Sequence, residues 1–390
     1  MSTFSNSFRS HQAPVTKRQY QKFNLWLLGA VSAPIVSIGF FNFVVDPYDI
    51  FPTPELGINH AKPKKGNNDR VHKAVDVIRL RPTVVFVGSS RTKLGLDPSH
   101  AVWENAEEVY NLGLNGPNFY EQLRYLEHAI ANQENLEAVV VGLDFFAFNQ
   151  HLDNQPTFSE HRLEKQHLTI RDFVNFTASL DVLSASYATL QESLKTPKRD
   201  DYGQDGFTPD RYEGDPGWKF REGLKLYFQL HGNYELSEKY MDSLRTLVAI
   251  CQQKEIPLYL FISPAHATQW EAIRATGRWQ TFEQWKREVA AIAPVWDFSG
   301  YSSVTTEPVN SQSKNYTDNS HYTPLVGDLV LNRMFSVNEQ SVPQDFGVLL
   351  TSENLESQLA QIRQNRQEWA KQNPEVVELV QKLQQEIKQE

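Results

Sequence analysis

Two short stretches carry side chains whose types and spacing suit nucleophilic chemistry. In "TVVFVGSSRTKLG" (83–95) an apolar run stops at Gly88, Ser89 and Ser90, and Arg91 follows at once. A buried strand needs the run but not two hydroxyls at its exit. In "NYTDNSHYTPLVGDLVLNRM" (315–334) Asp318 and His321 stand three apart, just before a helix with Thr323 as its cap and Pro324 as its first residue. Acyl transfer needs a nucleophile, a base and a group to orient the base. Ser90, on a tight turn after a strand, presents a hydroxyl at the sheet edge. Asp318 can orient the His321 imidazole, leaving its other nitrogen to take the serine proton. A helix starting at Ser90 adds its positive end, and the N–H groups of Ser90 and Gly116 suit a developing oxyanion.

These residues must be brought together by an α/β fold. The runs "TVVFVG" (83–88), "EEVYNLGL" (107–114), "LEAVVVGLDFF" (136–146), "IPLYLFISP" (256–264) and "PVWDFS" (294–299) read as strands. Between them, 117–133, 237–255 and 270–293 have helical spacing. The alternation implies a mostly parallel sheet between helices, with ligands at the carboxyl ends of its strands. Those ends supply Ser90, then "NLGLNG" (111–116), then Asp144, then Ser263 and His266. His266 either helps to bind substrate or caps a loop. Residues 150–235 break the rhythm with a helical hairpin (about 168–195) and a polar loop (198–218), an insertion expected as a lid over the sheet. After 335 comes a helical tail to 390 with a partial apolar stripe through Leu355, Leu359, Ile362, Trp369, Val376, Leu379 and Leu383.

The N-terminus adds an address. Leu25 to Val45 carries no charge and spans roughly 30 Å as a helix, the thickness of a bilayer core. Arg9, Lys17, Arg18 and Lys22 precede it; Asp46 and Asp49 follow. Positive charge stays inside, so the rest of the chain is expected outside the cytoplasm. A cleaved signal peptide has a shorter apolar core, and Pro34 directly after "VSA" is a poor cleavage context. The expected organisation is a polar segment 1–24, a transmembrane helix 25–45, a linker 46–70, a catalytic domain 71–149 with 236–335, an insertion 150–235 and a tail 336–390. A net charge of −9 argues against nucleic acid as a partner. The single cysteine, Cys251, excludes an internal disulfide framework and a cysteine-based zinc site. "SRTK" (90–93) also fits the Ser-x-x-Lys of penicillin-recognising enzymes, but no later Lys-Thr-Gly follows it.

The blocks and their order resemble the SGNH/GDSL hydrolases. Gly88-Ser89-Ser90 is similar to their Gly-Asp-Ser opening, "NLGLNG" to their second block, and "DNSH" to their Asp-x-x-His ending, over about 80–146 and 236–335. The N-terminal anchor, "VVDPYDIF" and the GSSR turn resemble the exported, membrane-anchored branch that O-acetylates bacterial surface polysaccharides and D-alanylates teichoic acid. The resemblance implies a three-layer α/β/α fold, an acyl-Ser90 intermediate, Gly116 as an oxyanion donor and no metal or organic cofactor. It also implies an envelope hydroxyl as acceptor and a multi-pass membrane protein as acyl donor. Two positions depart from it. Ser89 replaces the aspartate of the first block, and Asp144 stands where the third block carries an oxyanion asparagine. A carboxylate there would repel an oxyanion. Pairing of Asp144 with Arg91, at an adjacent strand end, would remove the conflict, and Asn115 or Asn118 would then supply the missing donor. An exported esterase with the same site, and an inactive polysaccharide-binding or scaffold protein, are the alternatives.

Overall fold

The computed structural model describes residues 16–51, 53–195, 205–209 and 214–389. In chain order the helices are α1 (Lys17–Val45), α2 (Asp69–Leu80), α3 (Ser90–Gly95), α4 (Phe119–Asn132), α5 (Glu160–Leu163), α6 (Ile170–Thr177) and α7 (Leu180–Lys195). They continue with α8 (Pro216–Gly232), α9 (Glu238–Gln253), α10 (Ala267–Ala275), α11 (Trp279–Ile292), α12 (Pro324–Phe335), α13 (Leu355–Gln372) and α14 (Pro374–Gln389). The chain divides into two compact units, one of Met1–Lys64 with Thr169–Lys198, the other of Lys65–Leu168 with Arg199–Glu390.

The larger unit is built on one sheet of β1 (Val84–Val87), β2 (Val109–Asn111), β3 (Ala138–Leu143), β4 (Leu258–Ile262), β5 (Val295–Asp297) and β6 (Val348–Leu350). Its order is β2-β1-β3-β4-β5-β6, all parallel except β6, which runs antiparallel to β5. Val85 faces Tyr110 on one side and Val139 on the other. β1 and β3 are buried along their whole length, which is why they read as unbroken apolar runs. Val85, Val87, Val139, Val141 and Ile262 join a cluster with residues of α2, α4, α9 and α11. The alternate residues Val84, Phe86, Val140 and Phe261 join a second cluster with Val326 and Val330 of α12. From β1 the chain goes outward to β2 and then returns to the other side of β1 as β3. The carboxyl ends of β1 and β3 therefore flank the point where the winding reverses, the place where such sheets bind ligands.

In the smaller unit α1 is long and apolar enough to cross a membrane. It starts at Lys17, before the apolar stretch, where the Thr16 N–H donates to Gln19 Oε1 at 2.7 Å. Arg9 and the rest of 1–15 lie outside the described residues.

Three expected boundaries move. The linker ends early: Lys65–Asn68 form a 3-10 turn, and Asp69 and Arg70 are buried residues of α2. The insertion does not stay together. Its hairpin, α6 and α7, belongs to the unit of α1, because the Asn42 side chain bonds the Thr177 carbonyl and Phe43 packs on Phe173. Its remaining described residues, with α5 and α8, belong to the unit of the sheet. The stretch 270–293 is two helices, parted where Gly277 takes a φ of +75°, a conformation that costs other residues a steric clash.

The tail is likewise part of the sheet unit. It first supplies β6, three residues too short for periodicity to reveal. Leu355 and Leu359 then enter the first cluster, and Val380 and Leu383 pack on Leu224, Phe228 and Ala272. Arg363 and Arg366 pair with Glu283 and Glu271. Leu359→Ala should lower the unfolding free energy of the sheet unit by about 2–5 kcal/mol, as for any buried leucine. A loss under about 0.5 kcal/mol in denaturant unfolding, typical of surface positions, would mean that the tail does not pack.

Candidate active site

Ser90 stands at the first position of α3, directly after the exit of β1. Ser89 caps that helix, its hydroxyl accepting from the Arg91 N–H at 3.1 Å. This orients the turn so that the Ser90 side chain is half-buried rather than covered. Ser90 Oγ lies 2.8 Å from Nε2 of His321, and Nδ1 of His321 lies 2.7 Å from Oδ2 of Asp318. Burial alone would push the Asp318 carboxyl up; the adjoining His321 and the N–H groups of His321 and Ser320 outweigh it and hold the pKa at about 2. The carboxylate is thus ionised and can only accept. Nδ1 must carry the proton, Nε2 presents its lone pair, and the Ser90 hydroxyl donates to it. This is the arrangement in which a serine can lose its proton to a histidine.

The loop carrying Asp318 and His321 is pinned at every residue. Asp318 Oδ1 accepts the N–H groups of Ser320 and His321 at 2.7 and 2.8 Å, a turn that aspartate forms readily. Asn319 donates to Gln269 Oε1, and its carbonyl accepts from the His266 N–H. Ser320 Oγ receives Arg91 Nε at 2.9 Å and lies 2.6 Å from the Tyr227 hydroxyl of α8. The two middle residues of "DNSH" are therefore fully buried anchors. Sequence spacing treats them as fillers, and only their long-range partners distinguish them.

Arg91 links this loop to the neighbouring strand end. Its Nη1 donates to Asp144 Oδ1 at 2.8 Å, and Nη2 reaches the Tyr227 hydroxyl at 3.5 Å. Arg91 and Asp144 are both buried. Burial alone would lower the Arg91 pKa; Tyr227 and Asp144 beside it outweigh this and raise it. The Asp144 charge thus has its partner on the residue next to Ser90, and one guanidinium joins the end of β3, α8 and the histidine loop.

A second network holds the turn after β2. The Leu114 N–H bonds the Gly88 carbonyl, setting this turn beside the serine turn. Gly116 takes a φ of +53° there, which favours glycine. Asp69 Oδ2 accepts the Asn115 N–H at 3.2 Å, Arg70 donates to the Asn115 carbonyl at 3.0 Å, and Gln155 donates to the Gly116 carbonyl at 3.1 Å. Lys93 pairs with Asp69, and Glu121 with Arg70. The buried Lys73 ammonium donates to the carbonyls of Asn111, Gly113 and Gly206. None of Asp69, Arg70, Lys73 or Gln155 carries a sequence signal of this role; two of them lie in the expected linker.

Two expected site residues have other work. The Asn118 amide caps α4, accepting from the Glu121 N–H, and donates to the Leu152 carbonyl and Asn154 Oδ1. Both its amide hydrogens are committed, so it is not an oxyanion donor. Asn115 stays on the turn with an exposed side chain. His266 caps α10. Its Nδ1 lies 3.3 Å from the Thr268 N–H and 2.9 Å from the Thr268 hydroxyl, and Nε2 donates to the Glu307 carbonyl at 2.7 Å. Burial lowers its pKa to about 4, and both ring nitrogens are engaged within the protein, so it serves as a loop cap.

Among the described residues no group of histidine, cysteine, aspartate and glutamate is arranged to hold a metal ion. A cleft of about 330 Å³ beside β5 and β6, lined by Asp297, Tyr301, Asp345 and Asn365 among others, shares no residue with the serine site. No family model matches the chain, and neither a curated protein nor a solved structure does.

Arg91→Met should destabilise the sheet unit by about 3–5 kcal/mol, because it strands the buried Asp144 charge; an unchanged denaturation midpoint would show that the pair is not formed. The Asp318 carboxyl has its pKa lowered from 3.8 to about 2 in the fold. Its stabilising contribution is therefore complete above the higher value and lost as pH falls through the lower one. Acid-unfolding curves of Asp318→Asn should lack that part of the pH dependence; superimposable curves would contradict it.

Proposed function

We propose that the protein is a membrane-anchored serine acyltransferase or esterase of SGNH-like, three-layer α/β/α architecture, acting on an envelope or extracellular polysaccharide. The observation that carries this reading is the run of contacts from Ser90 Oγ through His321 to Asp318, at 2.8 and 2.7 Å. In the first half-reaction the Ser90 oxygen attacks the acyl carbonyl carbon while its proton passes to His321 Nε2. The oxyanion is met by the N–H groups of Ser90 and Gly116, with Asn115 as the remaining side-chain candidate beside them. His321 returns the proton to the leaving oxygen, and the acyl group stays on Ser90. In the second half an acceptor hydroxyl gives its proton to His321 and attacks the acyl carbon, releasing Ser90 and forming the new ester. Asp318 stabilises the imidazolium in both halves.

No step calls for a metal or organic cofactor. Asp144, where the family resemblance calls for asparagine, does not argue against the chemistry, because Arg91 balances its charge. The apolar length of α1 and the basic residues before it support a single-pass anchor in the plasma membrane with the sheet unit in the periplasm or cell exterior. An envelope hydroxyl as acceptor and a multi-pass membrane protein as acyl donor follow from the family resemblance.

A fluorophosphonate probe should label the wild-type protein and not Ser90→Ala. His321→Ala should label at least about a hundredfold more slowly, the usual contribution of a general base. Absence of labelling in a folded wild-type protein would favour the binding or scaffold reading. With an activated acyl ester, competition between water and an oligosaccharide separates the two enzyme readings. Acylated sugar in excess of free acid is expected for a transferase, and free acid alone for an esterase.

A further inference from the structure

We propose that the α6–α7 hairpin lies in the membrane interface, as an amphipathic collar around the outer end of α1. The proposal rests on α1 crossing the bilayer but not on the chemistry of Ser90. Side chains of α1 are exposed over most of Leu25 to Phe40 and then become covered, with Asn42 and Val45 fully buried. The cover is the hairpin. Asn42 Nδ2 donates to the Thr177 carbonyl at 2.7 Å, at the last residue of α6. Phe43, Phe51 and Phe173 form a three-ring cluster with centroids 5.3 to 5.7 Å apart. Ala61 donates to Ser193 of α7.

The hairpin uses one face for these contacts and leaves apolar residues on another. Ile170 is 85% exposed, Leu180 73% and Leu194 69%, with Val174 and Tyr187 also open. On α6 these fall at positions 170 and 174, and on α7 at 180, 187 and 194, so each helix carries a stripe. Arg171 and Lys195 are exposed on the same two helices and have stems long enough to reach water from such a depth. An interfacial helix has this character: an apolar stripe that enters the headgroup and acyl boundary by about 5–10 Å, with charges beside it.

Length points the same way. The bare part of α1, Leu25 to Phe40, spans about 24 Å at 1.5 Å per residue, against about 30 Å of hydrocarbon. The difference is about the depth that an interfacial helix occupies. The last turns of α1 therefore sit at that depth with the hairpin around them, and the Asn42 amide N–H there bonds the hairpin backbone instead of water.

The test uses full-length protein in phospholipid nanodiscs, with Cys251→Ala and single cysteines carrying a nitroxide. Ile170→Cys, Leu180→Cys and Leu194→Cys are read for relaxation by oxygen, which concentrates in lipid, and by a water-soluble nickel chelate. Val36→Cys in α1 and Glu378→Cys in α14 are the lipid and water references. The expected result is an oxygen-to-nickel ratio severalfold above that of Glu378→Cys at all three hairpin sites. Hairpin ratios equal to that of Glu378→Cys, with Val36→Cys high, overturn the proposal and leave the anchor standing. A low ratio at Val36→Cys as well overturns both. Spin–spin broadening at the hairpin sites that vanishes on dilution with unlabelled protein would assign the face to a second copy of the chain instead.

Discussion

Charge compensation at Arg91 is the constraint on which the site rests. Two buried ionic groups at neighbouring strand ends are expensive unless each has its partner and its hydrogen bonds. Here one guanidinium meets Oδ1 of Asp144, the Ser320 hydroxyl and the Tyr227 hydroxyl, and leaves Asp144 Oδ2 without a hydrogen bond. Because Arg91 directly follows Ser90, its bond to Ser320 also ties the serine turn to the loop that carries His321. The contact between Ser90 and His321 joins residues 231 positions apart. It is held by groups beneath it on both sides, rather than by the two side chains alone.

What could be read from the sequence follows from where the information is local. The strands β1 and β3 were legible because both faces are buried, so the apolar run is continuous. Ser90, Asp318 and His321 were legible because a hydroxyl after a strand and a carboxylate three before an imidazole are unusual pairings of type and position. The pairing of Arg91 with Asp144 could be anticipated because an unpaired carboxylate at that strand end conflicts with the chemistry. The anchors could not. Asn319 and Ser320 look like spacers, Asp69 and Arg70 look like solvated linker, and Tyr227 lies in a stretch whose pattern suggests a lid. Each acquires its role from a partner far along the chain, and polar residues in loops carry no periodicity to betray it. Asn118 misleads for the same reason in reverse, and His266 stayed undecided: a cap and a ligand use the same donor and acceptor atoms.

The division of the chain also departs from its linear order. The hairpin between 169 and 195 leaves the sheet unit and rejoins α1, so the polypeptide passes between the two units more than once. The tail, in contrast, returns to the sheet. β6 closes its edge with an antiparallel strand, which removes an open row of backbone donors and acceptors at β5.

The central claim is that Ser90 becomes acylated through His321, and the most direct measurement is the mass of the trapped intermediate. Protein is mixed with an activated acyl ester, quenched in acid within the first turnover and digested. The account predicts one acyl increment on the peptide containing Ser90, absent from Ser90→Ala and strongly reduced in His321→Ala. An increment on any other residue, or an equal yield from His321→Ala, would contradict it.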